Sequence, residues 1–177
     1  MSWAGHARVG RKAIAERPAV DLGVDRRGGH AGHTPARDTG RAMWQENVKR
    51  LDRVFELLSE PETDWEALAE FLDPDIVWEV RADFPDAGVY TGYDRLRRFS
   101  DAFDDALEQT WYRPLEYIQA GSHVVVPLRW GGLGKGSQTP FAEHEETWVL
   151  TLRDGRISRV REYATKHDAL EAVGLPE

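Results

Sequence analysis

The 177-residue sequence contains no cysteine. This absence excludes disulfide bonds, thiolate nucleophiles and metal sites built from cysteine ligands. The sequence also has no apolar run near the roughly 20 residues that a membrane-spanning helix requires. Its first residues lack the continuous apolar core of a secretory signal. We therefore expect a cytoplasmic protein that has no membrane partner.

Positive charge is scarce outside the N-terminal segment. Residues 1–42 contain eight Lys or Arg against four Asp or Glu, which gives that segment a charge of +4. The remaining residues have a charge of −12, and the whole chain has a net charge of −8. An acidic body repels phosphate backbones, so nucleic acid is not an expected partner.

Residues 1–42 are rich in Gly, Arg, Ala and His and show neither helical nor strand periodicity. Such a segment buries too little apolar surface to offset its chain entropy, so it is predicted to be a disordered extension. Met43 directly precedes the first periodic segment, which suggests that translation starts there. The predicted domain therefore spans residues 43–177. No metal site is predicted, because His30 and His33 have no third ligand nearby.

The rest of the chain alternates between helical and strand patterns. Apolar residues three or four apart predict helices, and runs of β-branched and aromatic residues predict strands. The predicted helices span about 44–58, 65–72 and 96–107, and the predicted strands span about 76–80, 111–119, 123–130, 141–153 and 156–163. The segment between residues 81 and 92 is predicted to be a loop. Helices gathered before an antiparallel sheet indicate an α+β fold.

The last two strands are joined by Asp154-Gly155, a signal for a two-residue hairpin turn. Strict alternation then places one set of cross-strand pairs on the inner face of the sheet. These predicted pairs are Leu152 with Ile157, Leu150 with Arg159, Trp148 with Arg161, and Glu146 with Tyr163. Thr165 and Asp168 predict the capped start of a closing helix, which Gly174 ends.

Four polar residues are candidates for catalysis. Glu146 is the preferred general acid or base, because burial shifts the pKa of a carboxyl group. His144 is a candidate proton shuttle near neutral pH, Arg161 would stabilise developing negative charge, and Asp86 on the loop would be a catalytic partner. Structural alternatives exist for each: a salt bridge between Glu146 and Arg161, an exposed strand-end histidine at position 144, and a turn-forming Asp86 beside Pro85.

Aromatic residues are candidates for the walls of a substrate pocket. Flat apolar side chains with a few polar atoms suit a cyclic ligand, although aromatics at alternating positions also build cores. The candidates are Trp78, Tyr90, Trp111, Trp148 and Tyr163.

Four stretches of the chain resemble the nuclear transport factor 2-like superfamily and, within it, the SnoaL-like family. They are PDIVWEV, FPDAGVYTGYDRLRRF, VVVPLRWGGLGKGS and TLRDGRISRVREYATKHDALEAVGL. The resemblance covers residues 44–175. It implies a conical α+β barrel, in which a curved antiparallel sheet is wrapped by about three N-terminal helices and a short C-terminal helix. It also implies a ligand pocket and a homodimer formed through the sheet.

The resemblance is less specific about activity, because the superfamily includes isomerases, epoxide hydrolases, polyketide cyclases, dehydratases and members without known chemistry. The steroid isomerases of this fold use a carboxylate base and an acidic residue, and their positions correspond here to Val80 and Trp148. Steroid isomerisation is therefore not expected. The expected function is a cofactor-independent acid-base isomerase, dehydratase or cyclase acting on an uncharged, ring-containing metabolite. The alternative is a noncatalytic ligand-binding or dimerisation module.

Overall fold

The structure, a computed structural model, describes residues 35–84, 86–137 and 139–176. Of the predicted N-terminal extension, residues 1–34 lie outside this range. Residues 35–42 instead form the first turns of a helix that begins at Pro35, a residue well suited to the first helical position. The sequence pattern missed these turns because residues 39–43 are all exposed and show no apolar periodicity.

Four helices lie in the described part of the chain: α1 (Pro35–Leu58), α2 (Trp65–Ala69), α3 (Tyr93–Ala106) and α4 (Lys166–Ala172). Helix α1 buries Leu51, Val54 and Phe55 at the spacing of one helical face. Helix α4 begins as predicted, because the Thr165 hydroxyl accepts a hydrogen bond from the Asp168 backbone N–H. No helix among the described residues has the length and apolar character needed to cross a membrane.

Seven strands form one curved, unclosed sheet in the order β2-β1-β7-β6-β5-β3, and β4 pairs with β5. The strands are β1 (Leu72–Val80), β2 (Gly88–Thr91), β3 (Leu107–Pro114), β4 (Ile118–Ala120), β5 (His123–Gly134), β6 (Pro140–Arg153) and β7 (Arg156–Tyr163). The predicted α+β class is confirmed. The sheet is mostly antiparallel, but β1 and β7 run parallel.

Two segments that lie outside the predicted strands belong to strands. Residues 88–91 form the edge strand β2, which pairs with β1, and Gly131–Gly134 extend β5 along β3. Glycine is needed at 131 because a Cβ atom there would lie 2.6 Å from the ring of Trp111. The low β-propensity of glycine hid this extension from the sequence pattern.

Strand β7 contains a β-bulge at Ser158. The hairpin turn forms as predicted at Asp154 and Gly155, both of which have positive φ, and Leu152 pairs with Ile157. The next pair is Thr151 with Arg159, so Ser158 is an extra residue on β7. The predicted register beyond this point is therefore wrong by one residue.

The shifted register assigns residues to the two faces of the sheet. Leu150 pairs with Val160, Trp148 with Glu162, and these side chains face inward. The inner face packs on α1, α2 and α3 as the main core, which includes Leu51, Leu68 and Leu96. The outer face has a small second cluster under α4, formed by Val125, Val149, Ala169 and Leu170.

Deleting Ser158 should be tolerated, because the residues that follow Ile157 then alternate regularly and keep the faces that they occupy in the structure. We expect the free energy of unfolding in urea to fall by only about 1 kcal/mol, the scale of one lost hydrogen bond. In the control Ser158→Ala, only the 3.2 Å hydrogen bond from its hydroxyl to the Thr151 carbonyl is lost, and about 1 kcal/mol should be lost. A loss of roughly 3 kcal/mol or more on deletion would contradict the assigned register, because it would show that the deletion had turned the following residues to the wrong face.

Candidate functional site

A cavity of about 80 Å³ lies between the inner face of the sheet and helices α1 and α3. Helix α1 contributes Val54, Phe55 and Leu58, and α3 contributes Leu96, Phe99 and Ser100. The sheet contributes most of the remaining wall. The lining is predominantly apolar, so the few polar groups that face the cavity determine what it can bind or catalyse.

Six of the lining residues form a continuous aromatic cluster. The ring centroids of Trp78 and Trp148 are 4.9 Å apart in an edge-to-face arrangement, and Trp148 also contacts Phe55 and Tyr112. Trp130 contacts Tyr112 at 6.3 Å and Phe84 at 5.7 Å. The aromatic cluster is Phe55, Trp78, Phe84, Tyr112, Trp130 and Trp148.

Two carboxyl groups, those of Glu146 and Glu162, face this cavity. Trp148 Nε1 donates a hydrogen bond of 2.6 Å to Glu146 Oε1, and Trp78 Nε1 donates one of 2.7 Å to Glu162 Oε1. Glu146 is only 6% exposed. Indole N–H groups can only donate, so each carboxyl group is held in place by a tryptophan of the aromatic cluster.

Arg81 follows directly after β1 and contacts both carboxyl groups. Its Nη1 lies 3.7 Å from Glu146 Oε2, and its backbone N–H donates to Glu162 Oε2 at 3.4 Å. Its Nε forms a 2.9 Å ion pair with Asp83. The single guanidinium is therefore shared between the cavity and the loop that follows β1.

Burial raises the pKa of both carboxyl groups. The pKa of Glu162 rises to about 7, first because of desolvation and second because of the negative charge of Glu146. Desolvation also raises the pKa of Glu146, against hydrogen bonds from Trp148 and Trp130 and the charges of Arg81 and His144. Glu162 can therefore exchange a proton with a ligand near neutral pH, and the neighbouring Glu146 is a second carboxyl group of raised pKa.

The structure places four of the predicted site residues on the inner face. Glu146, Trp148 and Trp78 line the cavity. His144 lies two residues before Glu146 on β6, and its ring stacks on Trp130 with centroids 5.2 Å apart. It is half-buried and does not line the cavity.

The expectation that Arg161 and Tyr163 join Glu146 is wrong, because the bulge at Ser158 turns both to the outer face. There, Arg161 Nε donates a 2.6 Å hydrogen bond to Glu79 Oε2. Arg161 Nη1 also donates to the Tyr163 hydroxyl at 3.3 Å. The two residues line an open groove on the outer face instead of the cavity.

The other three predicted residues also lie away from the cavity. The Tyr90 hydroxyl donates to the backbone carbonyl of Asp86, and the Tyr90 ring packs on Phe99 with centroids 4.1 Å apart. Asp86 itself is exposed. Trp111 lies beneath the guanidinium of Arg113, 4.2 Å from its ring centroid, because its strand position alternates with that of the inward-facing Tyr112.

The sequence interpretation missed Glu162, Arg81 and Trp130. The sequence did contain one signal for the inward position of Glu162. Strict alternation from Ile157 would bury two arginines, Arg159 and Arg161, and would expose Val160. Apolar residues three apart, as in Ile157 and Val160, indicate a bulge in a strand with one buried face. The position of Arg81 depends on how the chain leaves β1, and no pattern in the sequence signals it.

No group of three or more His, Asp or Glu side chains within the described ranges is arranged to hold a metal ion. The two histidines considered as a metal pair, His30 and His33, lie outside those ranges. The cavity itself offers two carboxyl groups with hydrogen-bond donors around them. The chemistry available from these residues is therefore proton transfer and the binding of a polar or charged group.

Glu162 should make the stability of the protein depend on pH. Its pKa is about 7 in the folded state against an ordinary value of 4.5, so the folded state binds more protons between these values. The stabilisation is complete below pH 4.5 and is lost as the pH rises through 7. We expect Glu162 to contribute a decline of roughly 3 kcal/mol in the free energy of unfolding in urea across this window. Glu162→Gln should remove this contribution and leave only the part that comes from the raised pKa of Glu146.

Glu79→Gln is the matched control for this measurement. Arg161 holds the pKa of Glu79 below its ordinary value, so the contribution of Glu79 is lost only at lower pH. The Glu79 variant should keep the decline between pH 4.5 and 7. An equal pH dependence in the wild type and Glu162→Gln would show that Glu162 ionises normally.

Comparison with known proteins identifies relatives for most of the described fold. The sequence model of the SnoaL-like domain matches residues 48–160. The comparison with curated proteins gives no match.

Solved structures share the fold at low sequence identity. One is a protein of ketosteroid isomerase-like fold from Catenulispora acidiphila in complex with trimethylamine, with 22% identity, a TM-score of 0.56, and coverage of 72% of this chain and 93% of that one. A second is TerC with polyporic acid, with 19% identity, a TM-score of 0.58, and coverage of 72% and 97%. A third, from Jannaschia sp. CCS1, is named for its likeness to SnoaL-like polyketide cyclases, with 17% identity, a TM-score of 0.56, and coverage of 75% and 94%.

Proposed function

The chain belongs to the SnoaL-like family, and we propose that it binds a small molecule in its cavity and exchanges protons with it through Glu146 and Glu162. The observation that supports this proposal is the pair of indole-held carboxyl groups facing an apolar cavity. Two structural relatives were solved with small molecules, trimethylamine and polyporic acid. Their ligands support a small molecule as the occupant here.

The carboxyl pair is suited to acid-base chemistry because one proton can be held between two groups of raised pKa. At neutral pH one carboxyl is protonated and can donate, while the other is ionised and can accept. Isomerisation, dehydration and aldol-type cyclisation each remove a proton at one atom of the substrate and supply one at another. The proposal therefore covers an isomerase, dehydratase or cyclase, with Glu146 and Glu162 in the two roles.

Neighbouring residues have supporting roles in this proposal. Arg81 has the role that was predicted for Arg161, the stabilisation of developing negative charge, because its guanidinium lies next to Glu146. His144 stacks on Trp130 and its charge lowers the pKa of Glu146. The aromatic cluster favours a ring or alkyl body in the ligand. It gives no support to an uncharged ligand over a charged one.

A noncatalytic ligand-binding module is the second candidate. The aromatic cluster fills much of the interior and leaves a cavity of about 80 Å³, well below the roughly 300–1,000 Å³ of most ligand pockets. A small cavity of this kind favours tight enclosure of a small group over the turnover of a large substrate. Turnover measurements separate the two candidates.

Glu146→Gln should abolish catalysis while leaving the fold intact, because the amide oxygen can still accept the hydrogen bond from Trp148. A thermal-shift screen of small metabolites on the full chain would first identify a ligand. Turnover of that ligand should then fall by roughly 100-fold or more in the variant. Glu145→Gln, on the exposed opposite face of β6, is the matched control and should retain activity. A stabilising ligand with no turnover in the wild type would favour the binding module.

A homodimer formed through the outer face of the sheet is also proposed. A groove of about 530 Å³ lies on this face and is lined by Val77, His123, Thr151, Arg161, Tyr163 and Val173. Several of these side chains are half-buried in the single chain. A second copy would cover them, in keeping with the family resemblance.

Sedimentation equilibrium should give twice the 20.1 kDa mass of one chain. Val77→Glu should shift the protein toward the single-chain mass, because it introduces a charge in the middle of the groove. Val89→Glu, on the exposed part of edge strand β2, is the matched control and should leave the mass unchanged. A wild-type protein with the mass of one chain at micromolar concentration would contradict the dimer.

A further inference from the structure

The charges that face the cavity do not balance. Glu146 and Glu162 supply two carboxyl groups, and the guanidinium of Arg81 is shared with Asp83. Among the residues whose side chains the structure describes, those of α1, α3 and β3 that line the cavity carry no charge, and the His144 imidazole lies nearby on β6. With both carboxyl groups ionised, the site is short of at least one positive charge.

The hydrogen bonds around the two carboxyl groups favour their ionised forms. Glu162 accepts from Trp78 Nε1 and from the Arg81 backbone, and Glu146 accepts from Trp148 Nε1. All of these partners are donors, which stabilise a carboxylate. Burial and mutual repulsion oppose ionisation. A cation placed between the two groups would remove this conflict, because it supplies the missing charge.

The aromatic cluster provides the second half of a cation site. Tryptophan and tyrosine rings attract a cation within about 6 Å of the ring centroid, and desolvation strengthens the attraction. Three tryptophans and Tyr112 of the cluster line the same cavity as the two carboxyl groups. Aromatic rings combined with carboxylates suit an alkylammonium group, which is apolar on its surface and positive at its centre.

We propose that the ligand of this cavity has an alkylammonium group, which lies against the aromatic cluster and between Glu146 and Glu162. This inference rests on the proposed binding function and names the chemical class of the ligand. The cation takes the place of the proton that the carboxyl pair otherwise holds. Binding near neutral pH therefore releases a proton, and affinity increases as the pH rises from about 6 to about 8.

Tetramethylammonium and tert-butanol are nearly isosteric probes that differ in charge. Isothermal titration of the full chain at pH 7.5 should show at least about tenfold tighter binding of tetramethylammonium. Titration in two buffers of different ionisation enthalpy should reveal proton release. Glu162→Gln should weaken the preference for tetramethylammonium, because it removes one of the two carboxylates, and Glu79→Gln, which neutralises a carboxylate on the outer face, should leave the preference unchanged.

Each result separates this inference from the proposed function. Equal affinity for the two probes would overturn the cation inference and leave the small-molecule cavity intact. An undiminished preference for tetramethylammonium in Glu162→Gln would also overturn it, because the charge would then be recognised elsewhere. Failure of both probes to bind the folded wild type would contradict the ligand-binding function itself, and the cation inference with it.

Discussion

The β-bulge at Ser158 determines the chemistry of the interior, because each residue that follows it on β7 faces the opposite side from the one regular alternation would give. Val160 and Glu162 consequently face the core. Arg159 and Arg161 face outward, where both form ion pairs with Glu79. If the same residues alternated regularly without a bulge, two guanidinium groups would enter an apolar interior that offers them little compensation.

The parallel pairing of β1 with β7 then positions Trp78 next to the carboxyl group of Glu162. Trp78 lies beside Val160 in this pairing, and its indole N–H reaches Glu162. On the other side of β7, Trp148 pairs with Glu162 across the strands while its own N–H binds Glu146. The two strands that flank β7, β1 and β6, thus each supply a tryptophan that holds a carboxyl group in an apolar cavity.

Much of the fold could be predicted from local signals. The turn at Asp154-Gly155, the Thr165 cap and the buried face of α1 each depend on residues close together in the sequence, and all three occur as predicted. The bulge could not be derived from the turn, because the turn fixes only the first cross-strand pairs. Because of this one unpaired residue, Glu162 faces the cavity, whereas regular alternation had predicted Tyr163 there.

The candidate site was therefore predicted only in part. Residues on β6 before the turn, Glu146 and Trp148, were assigned to the correct face because that strand alternates regularly across from β5. Arg81 and Trp130 were missed because their roles depend on tertiary packing. The first lies where the chain leaves β1, and the second reaches Glu146 from β5.

Carboxyl titration by nuclear magnetic resonance tests the central claim most directly. In protein labelled with ¹³C at glutamate side chains, two carboxyl signals should titrate above the ordinary value of 4.5, and the signal lost in Glu162→Gln should have its pKa near 7. Glu146→Gln should lower the pKa of Glu162, because it removes the neighbouring negative charge. Titration of both groups near 4.5 would contradict the account, since it would place Glu146 and Glu162 in water rather than together in the apolar cavity.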